Sequence, residues 1–277
     1  MKNHKSYVSV IITTKQEEEN IANCLRSVKN QTYPQENIEI IVVDNDSTDR
    51  TKDIACQYTD KVYNYGPERS AQRNFGARKA NGKYILYLDA DMILSKNVIN
   101  ECVEKCEEEG YIALYIPEKI LGKGLWAKIR EFERGFYNAT YIDSVRFVRR
   151  DKFFEVKGFD ENLTACEDWD FDRRINKIGK ISIIKSPLYH NEGKITLRKY
   201  LQKKTYYTTA FAKYIQKWDR KDPIVKKQFG LYYRYWGVFI ENGKWKRLLR
   251  HPFLFFLVFL VRILVGVVFT VSKLRKI

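Results

Sequence analysis

Apolar residues fall in short, nearly unbroken runs along the first two-thirds of the chain, and stretches with helical spacing separate them. Residues 7–12 and 38–44 read as buried strands, and the second of these ends in an acid. Between them Ile21, Cys24, Leu25 and Val28 recur at helical intervals. The polar segment at 45–55 supplies several capping residues for a second helix. A short strand at 61–65, a helix over 70–80 stopped by Asn81-Gly82, and a strand at 84–88 follow. Such alternation with short turns predicts an α/β fold, a mostly parallel sheet with helices on both faces. Beyond Pro117 the spacing predicts a helix over 123–138, strands at 144–149 and 180–185, and between them a helix entered at Thr164. Thr164 as N-cap and Glu167 three residues on match a capping box.

Charge divides the chain unevenly. The net charge is +16, but residues 1–193 sum to −1, residues 194–251 to +13 and residues 252–277 to +4. Three regions are therefore expected: an α/β domain at 1–193, a basic region at 194–251 that interleaves Lys and Arg with thirteen aromatics, and a final segment. Residues 252–272 are almost continuously apolar and long enough to cross a hydrocarbon core of about 30 Å, with Arg262 interrupting them. A transmembrane or membrane-embedded helix is expected there. The basic, aromatic region before it fits a helical extension at an anionic membrane surface better than a nucleic-acid site. No secretory leader precedes the first strand, and five scattered cysteines form no zinc pattern. The catalytic part is thus expected on the cytoplasmic side of the cell membrane, with free thiols. No Gly-x-Gly-x-x-Gly follows a strand, which removes support for a dinucleotide-binding oxidoreductase.

Asp89 and Asp91 stand where the strand at 84–88 runs out. Carboxylates at the carboxyl end of such a strand suit a cation that holds phosphates, although aspartate is also common in turns. The segments VSVIITTKQEEENI, IEIIVVDNDSTDRT, SAQRNFGARKANGKYILYLDADM and GFDENLTACEDWDFDRRINKIG, in this order, resemble the family 2 glycosyltransferases of GT-A fold over residues 6–193. The resemblance implies a metal-dependent, inverting enzyme of glycolipid or polysaccharide biosynthesis. It would move sugar from a nucleotide-sugar donor, UDP-linked by preference, to a membrane-embedded acceptor: a polyprenyl phosphate or a saccharide on one.

By the same resemblance Thr13, Thr14 and Glu17 wall the nucleoside, Asp44 reads the base, and Arg73 neutralises the diphosphate. Asp89 and Asp91 form the DxD that holds ribose and Mg²⁺ or Mn²⁺. His190 either completes the metal shell or is an ordinary turn histidine. Asp168 is the general base of the Glu-Asp pair, with helix capping or acceptor orientation as its other reading. Glu167 and Trp169 face the acceptor, where Trp169 either stacks on sugar or packs. The family usually has Pro-Thr-Tyr-Asn-Glu where this chain has Thr13-Thr14-Lys15-Gln16-Glu17. A nucleotidyltransferase on a similar sheet and a non-catalytic membrane or nucleic-acid adaptor are the competing classes.

Overall fold

The computed structural model describes residues 6–193 and 197–274, with the side chains of 198–199, 202–210 and 269–274 left aside. The expected break after residue 193 abuts residues 194–196, which lie outside the described residues. Ten strands form: β1 (Val8–Thr14), β2 (Ile38–Asp44), β3 (Val62–Asn64), β4 (Tyr84–Asp89), β5 (Met92–Leu94), β6 (Ala113–Tyr115), β7 (Glu118–Leu121), β8 (Phe147–Arg149), β9 (Ile181–Ile183) and β10 (Leu188–Asn191). Helices α1 (Ile21–Lys29), α2 (Thr51–Cys56), α3 (Arg69–Lys79), α4 (Val98–Glu109), α5 (Gly124–Arg134), α6 (Arg150–Glu155) and α7 (Glu167–Ile175) intersperse them. After them come α8 (Leu197–Trp218), α9 (Pro223–Phe229), a π-helical turn (Tyr233–Gly237), α10 (Val238–Ile240), α11 (Trp245–Arg250) and α12 (Pro252–Leu274).

A seven-stranded sheet runs β3-β2-β1-β4-β8-β6-β9, and β5-β10-β7 make a small second sheet. Strands β1 to β4 pair in parallel. β8 runs antiparallel to both β4 and β6, so the sheet is mixed rather than nearly all parallel. Side chains alternate between the faces as the pleat requires. Val10, Ile12, Val42, Leu86 and Leu88 pack with α1 and α4, while Ile11, Ile41, Val43, Ile85 and Tyr87 pack with α3, α6 and α7. Both faces are covered, which explains the unbroken apolar runs. All five cysteines are free thiols.

The helix at 167 does not begin as expected. Its N-cap is Cys166, held at φ +61°, and no side chain caps it. Thr164 is therefore not the cap, and Glu167 sits at the first helical position with its carboxylate turned to Arg73.

The basic region shares a core with the α/β domain: Ile129, Phe132 and Phe136 pack with Tyr233, Val238, Phe239, Val258 and Val261. Among the described residues no helix is long and apolar enough to cross a membrane. Helix α12 packs against α5 and α8. Its Arg262 is drawn into a buried ion pair, Nε to Glu133 Oε1 at 3.0 Å, and also donates to the Tyr137 hydroxyl. One face of α12 thus belongs to the protein, and the expected crossing helix is corrected on this point.

Gly76 lets α3 approach the sheet; a Cβ there would overlap Ile11 Cγ2. Replacing Gly76 with Val should cost about 1–3 kcal/mol by overpacking, read as a lower urea midpoint.

Candidate active site

Ladder register brings the nucleoside candidates to one edge. Thr14 lies opposite Asp44 and Thr13 opposite Asp89, so the carboxyl ends of β1, β2 and β4 meet there. Open α/β sheets bind ligands at this edge. Asp44 is fully buried, and Ser47 engages both of its oxygens: its N–H reaches Oδ1 at 2.8 Å and its hydroxyl Oδ2 at 2.5 Å. Thr13 Oγ1 donates to Asp89 Oδ1 at 3.2 Å. Thr14 Oγ1 is buried with no partner among the described residues. Glu17 accepts from Asn20 Nδ2 at 2.7 Å. Burial, then the charges of Asp91 and Asp89, raise its pKa against the Asn20 bond, so these three acids share one field.

Arg73 is the junction. Only 3% exposed, it donates from Nη2 to Asp89 Oδ1 at 2.9 Å and reaches Glu167 Oε1 from Nη1 at 3.5 Å. Its guanidinium lies about 5 Å from the Tyr87 and Phe159 ring centres. Burial opposes the Asp89 charge, but Arg73, Arg69 and Arg146 overcome it and hold the carboxyl far below its ordinary range. Glu167 goes the other way: burial, then Asp168, lift it to about 7 despite Arg69 and Arg73.

His190 Nε2 lies 2.9 Å from Asp91 Oδ2, and Nδ1 lies 3.0 Å from Glu118 Oε1. Burial disfavours the imidazolium, yet the two carboxylates raise its pKa to about 10. Glu118 is itself held by Arg134 at 3.1 Å. Among the described residues no group of three or more His, Cys, Asp or Glu side chains is assembled to hold a metal ion. Asp91 nevertheless keeps Oδ1 buried and unpartnered. The orphaned carboxylate oxygen suits a divalent cation, and His190, oriented from behind by Glu118, would join it as a ligand on losing its Nε2 proton. Asp89, by contrast, accepts at Oδ1 from Arg73 and Thr13.

Asp168 sits in the first turn of α7, half-buried. Its Oδ1 accepts from the Trp169 N–H at 2.8 Å, and its carbonyl accepts from Ser144 Oγ at 2.9 Å. One turn later Asp172 accepts from Tyr115 Oη and Val145 N, both at 3.0 Å, and so pins the helix to the sheet. Trp169 packs edge-on against Tyr214 and Phe229. A cleft of about 1370 Å³ is lined by Arg73, Asp89, His190, Glu167, Asp168 and Trp169 together with Phe229, Leu231, Tyr235 and Val265; Glu167 reaches Arg73, and Trp169 packs on Phe229. Thr13, Thr14, Glu17, Asp44 and Asp91 do not line it; they lie at the adjoining sheet edge and turn. Sequence reasoning missed Glu118 and Arg146, whose partners are distant in the chain. It left Asp172 without a role, although the i, i+4 spacing from Asp168 marked it.

The model of the family described as glycosyl transferase family 2 matches residues 9–163, more than half of the chain. The chain belongs to glycosyl transferase family 2. It is 28% identical over 211 residues to the minor teichoic acid biosynthesis protein GgaB of Bacillus subtilis, covering 68% of this chain and 23% of that protein. It is 25% identical over 206 residues to a dolichyl N-acetyl-α-D-glucosaminyl phosphate 3-β-D-2,3-diacetamido-2,3-dideoxy-β-D-glucuronosyltransferase of Methanococcus voltae, covering 63% of each. The chain spans only 14–30% of the length of three such relatives, GgaB among them. In fold it resembles S. aureus TarS 1–349 in complex with UDP (TM-score 0.56, 22% identity, 74% of this chain and 65% of that one). It also resembles the Pyrobaculum calidifontis mannosyltransferase PcManGT in complex with GDP-Man and Mn²⁺ (TM-score 0.63, 17% identity, 99% and 87%). The GT-A-like fold is thus shared with proteins solved in complex with UDP and with GDP-Man and Mn²⁺.

Burial raises the Asp172 pKa from 3.8 to about 8 against the Tyr115 and Val145 bonds, with Asp143 and Asp168 adding to the rise. A raised carboxyl favours the fold when protonated. Its contribution is full below pH 3.8 and is lost as pH climbs through 8. In Asp172→Asn this loss should vanish. Relative to the parent, the variant should gain more than about 1.4 kcal/mol between pH 4.5 and 8 in urea melts.

Proposed function

We propose that the protein is an inverting, cation-dependent glycosyltransferase that moves a sugar from a UDP-linked donor to a lipid-linked acceptor. The acceptor is a polyprenyl phosphate or a saccharide built on one, presented at the cytoplasmic face of the cell membrane. The observation that carries this reading is the continuous cleft. It is lined by the Arg73–Asp89 pair, by Asp168 and, from the C-terminal helices, by apolar Phe229, Leu231 and Val265 among basic side chains. UDP-bound TarS and the dolichyl-linked acceptor in the name of the Methanococcus voltae relative support the two substrate classes. Lys244, Lys246, Arg247 and Arg250, next to α12, agree with the charge bias of cytoplasmic membrane flanks.

The donor would lie along the β1–β2–β4 edge, its uracil against Asp44 and Thr14. Arg73 and Arg69 would offset diphosphate charge. Asp91 and His190 would hold Mn²⁺ or Mg²⁺, which when bound supplies Lewis-acid stabilisation of the departing diphosphate. Inversion needs a base on the face of the sugar opposite that leaving group, and Asp168 comes from a different element than Asp89. With a saccharide acceptor its carboxylate accepts the proton of the acceptor hydroxyl as the oxygen attacks the anomeric carbon and the bond to phosphate breaks; an ionised lipid phosphate attacks without that proton transfer. Glu167 and Trp169 flank it on the acceptor side.

Asp168→Asn should lower kcat by about 10²–10⁴-fold while UDP-sugar affinity stays within a factor of two, followed by UDP release and calorimetry. Unchanged turnover would remove Asp168 as base, and pyrophosphate as product would replace glycosyl transfer with nucleotidyl transfer. Asp91→Asn and His190→Ala should each weaken Mn²⁺ binding at least tenfold, measured by Mn²⁺ titration of the UDP complex. Equal affinity in both would move the metal elsewhere.

A further inference from the structure

Seventeen large hydrophobic side chains are exposed among the described residues, and twelve of them fall between 231 and 267. They cluster in space as well as in sequence. On α12 the exposed residues are Phe253, Phe256, Leu260, Ile263, Leu264 and Val267, which repeat at three- and four-residue intervals and form one stripe. The opposite stripe, Val258, Val261 and Arg262, is buried on the domain. Leu231 and Tyr232 are 75% and 72% exposed, and Leu249 on α11 is 71% exposed. A monomer in water rarely shows so concentrated an apolar surface without a partner for it.

Charge identifies the partner. Residues 231–267 contain Arg234, Lys244, Lys246, Arg247, Arg250 and Arg262 against a single acid, Glu241. The one charge within 252–272, Arg262, is turned away from the exposed stripe and paired with Glu133. Trp236 and Trp245, each nearly half exposed, stand among these groups, as amphipathic rings do at headgroup depth. We propose that this face is a monotopic docking surface. α11, the exposed stripe of α12 and the Leu231–Trp236 turn settle into one leaflet of an anionic bilayer, with the basic residues among its headgroups.

Docking also sets the route of the acceptor. Leu231 lines the catalytic cleft and is three-quarters exposed on the docking face. Tyr235, Val265 and Gly266 line the same end of the cleft, and their neighbours Trp236, Leu264 and Val267 lie on the docking face. Tyr235 closes onto α12 here, donating to the Arg262 carbonyl at 2.8 Å. The mouth of the cleft therefore opens into the leaflet, and an acceptor with an acyl or polyprenyl tail enters from the lipid side rather than from water. This entry route rests on the lipid-linked acceptor proposed above; the docking surface does not.

The test uses the full-length chain with vesicles of phosphatidylcholine alone or with one-third phosphatidylglycerol. The wild type should co-sediment with the anionic vesicles at least tenfold more strongly, and salt should weaken this. Its tryptophan emission should be quenched by lipids brominated near the headgroup, and Trp236→Phe/Trp245→Phe should lose that quenching. Leu249→Glu/Phe256→Glu/Leu264→Glu should bind at least tenfold more weakly while keeping wild-type circular dichroism and UDP affinity. With a short-chain soluble acceptor this triple variant should match wild-type turnover, and with a long-chain acceptor in vesicles it should fall at least tenfold. Equal vesicle binding by wild type and variant overturns the docking surface. So does a lipid-free dimer that the same substitutions dissociate, because the face would then belong to a second copy. Docking with equal loss on both acceptors overturns the lipid-side entry. Vesicle binding without transfer from any donor defeats the catalytic reading and leaves the docking surface standing.

Discussion

A single buried arginine joins the two halves of this site. Taking a guanidinium out of water costs several kcal/mol unless carboxylates and hydrogen bonds replace the solvent. Arg73 recovers that cost from Asp89 on β4, Glu167 on α7 and the rings of Tyr87 and Phe159. Each partner comes from a different part of the chain, so satisfying the charge fixes where β4 ends relative to where α7 begins. The distance between Asp89 and Asp168 is set by this requirement. Asp89 stays ionised because of Arg73, while Glu167, more deeply buried and beside Asp168, holds its proton to about pH 7. Environment thus gives two neighbouring acids opposite charge states, as acid–base sites require.

A second buried charge organises the other end. Glu133 on α5 accepts from Arg262 of α12, from Arg130 and from the Tyr137 hydroxyl. Arg130 continues to Glu192 at 3.0 Å, two residues past His190. Continuous contacts therefore run from α12 to the strand that carries the imidazole. Breaking such a pair on one side leaves an uncompensated buried charge, so α12 is held in one rotational setting about its axis. That setting is what keeps its charge inward and its apolar stripe outward.

Local patterns carried much of this into the sequence. Strands β1, β2 and β4 were legible because both faces of a parallel core are apolar, and Asp44 and Asp89 marked their ends. The four motifs singled out Arg73 and Asp168, and both line the cleft. The reversal of β8 was not legible, since three residues, Phe147–Arg149, carry no directional signal. The Thr164 cap failed because Cys166 adopts a left-handed backbone that resets the helix start. Arg262 read as the cost of a membrane crossing because its partner lies 129 residues away. Glu118, which orients His190 across 72 residues, was hidden for the same reason.

The donor and acceptor ends proposed for the cleft are consequently built by different physics. Backbone ladders and a doubly covered core hold the donor edge, so its geometry follows from register and tolerates little change. Helix packing holds the acceptor end, with one phenol, Tyr235, bonded to the backbone of α12 at Arg262. Because that carbonyl belongs to the residue paired with Glu133, the apolar wall of the cleft cannot shift without disturbing the ion pairs that reach the His190 strand. Acceptor shape can vary through Phe229, Leu231 and Val265, which no charge constrains. Position along the cleft cannot.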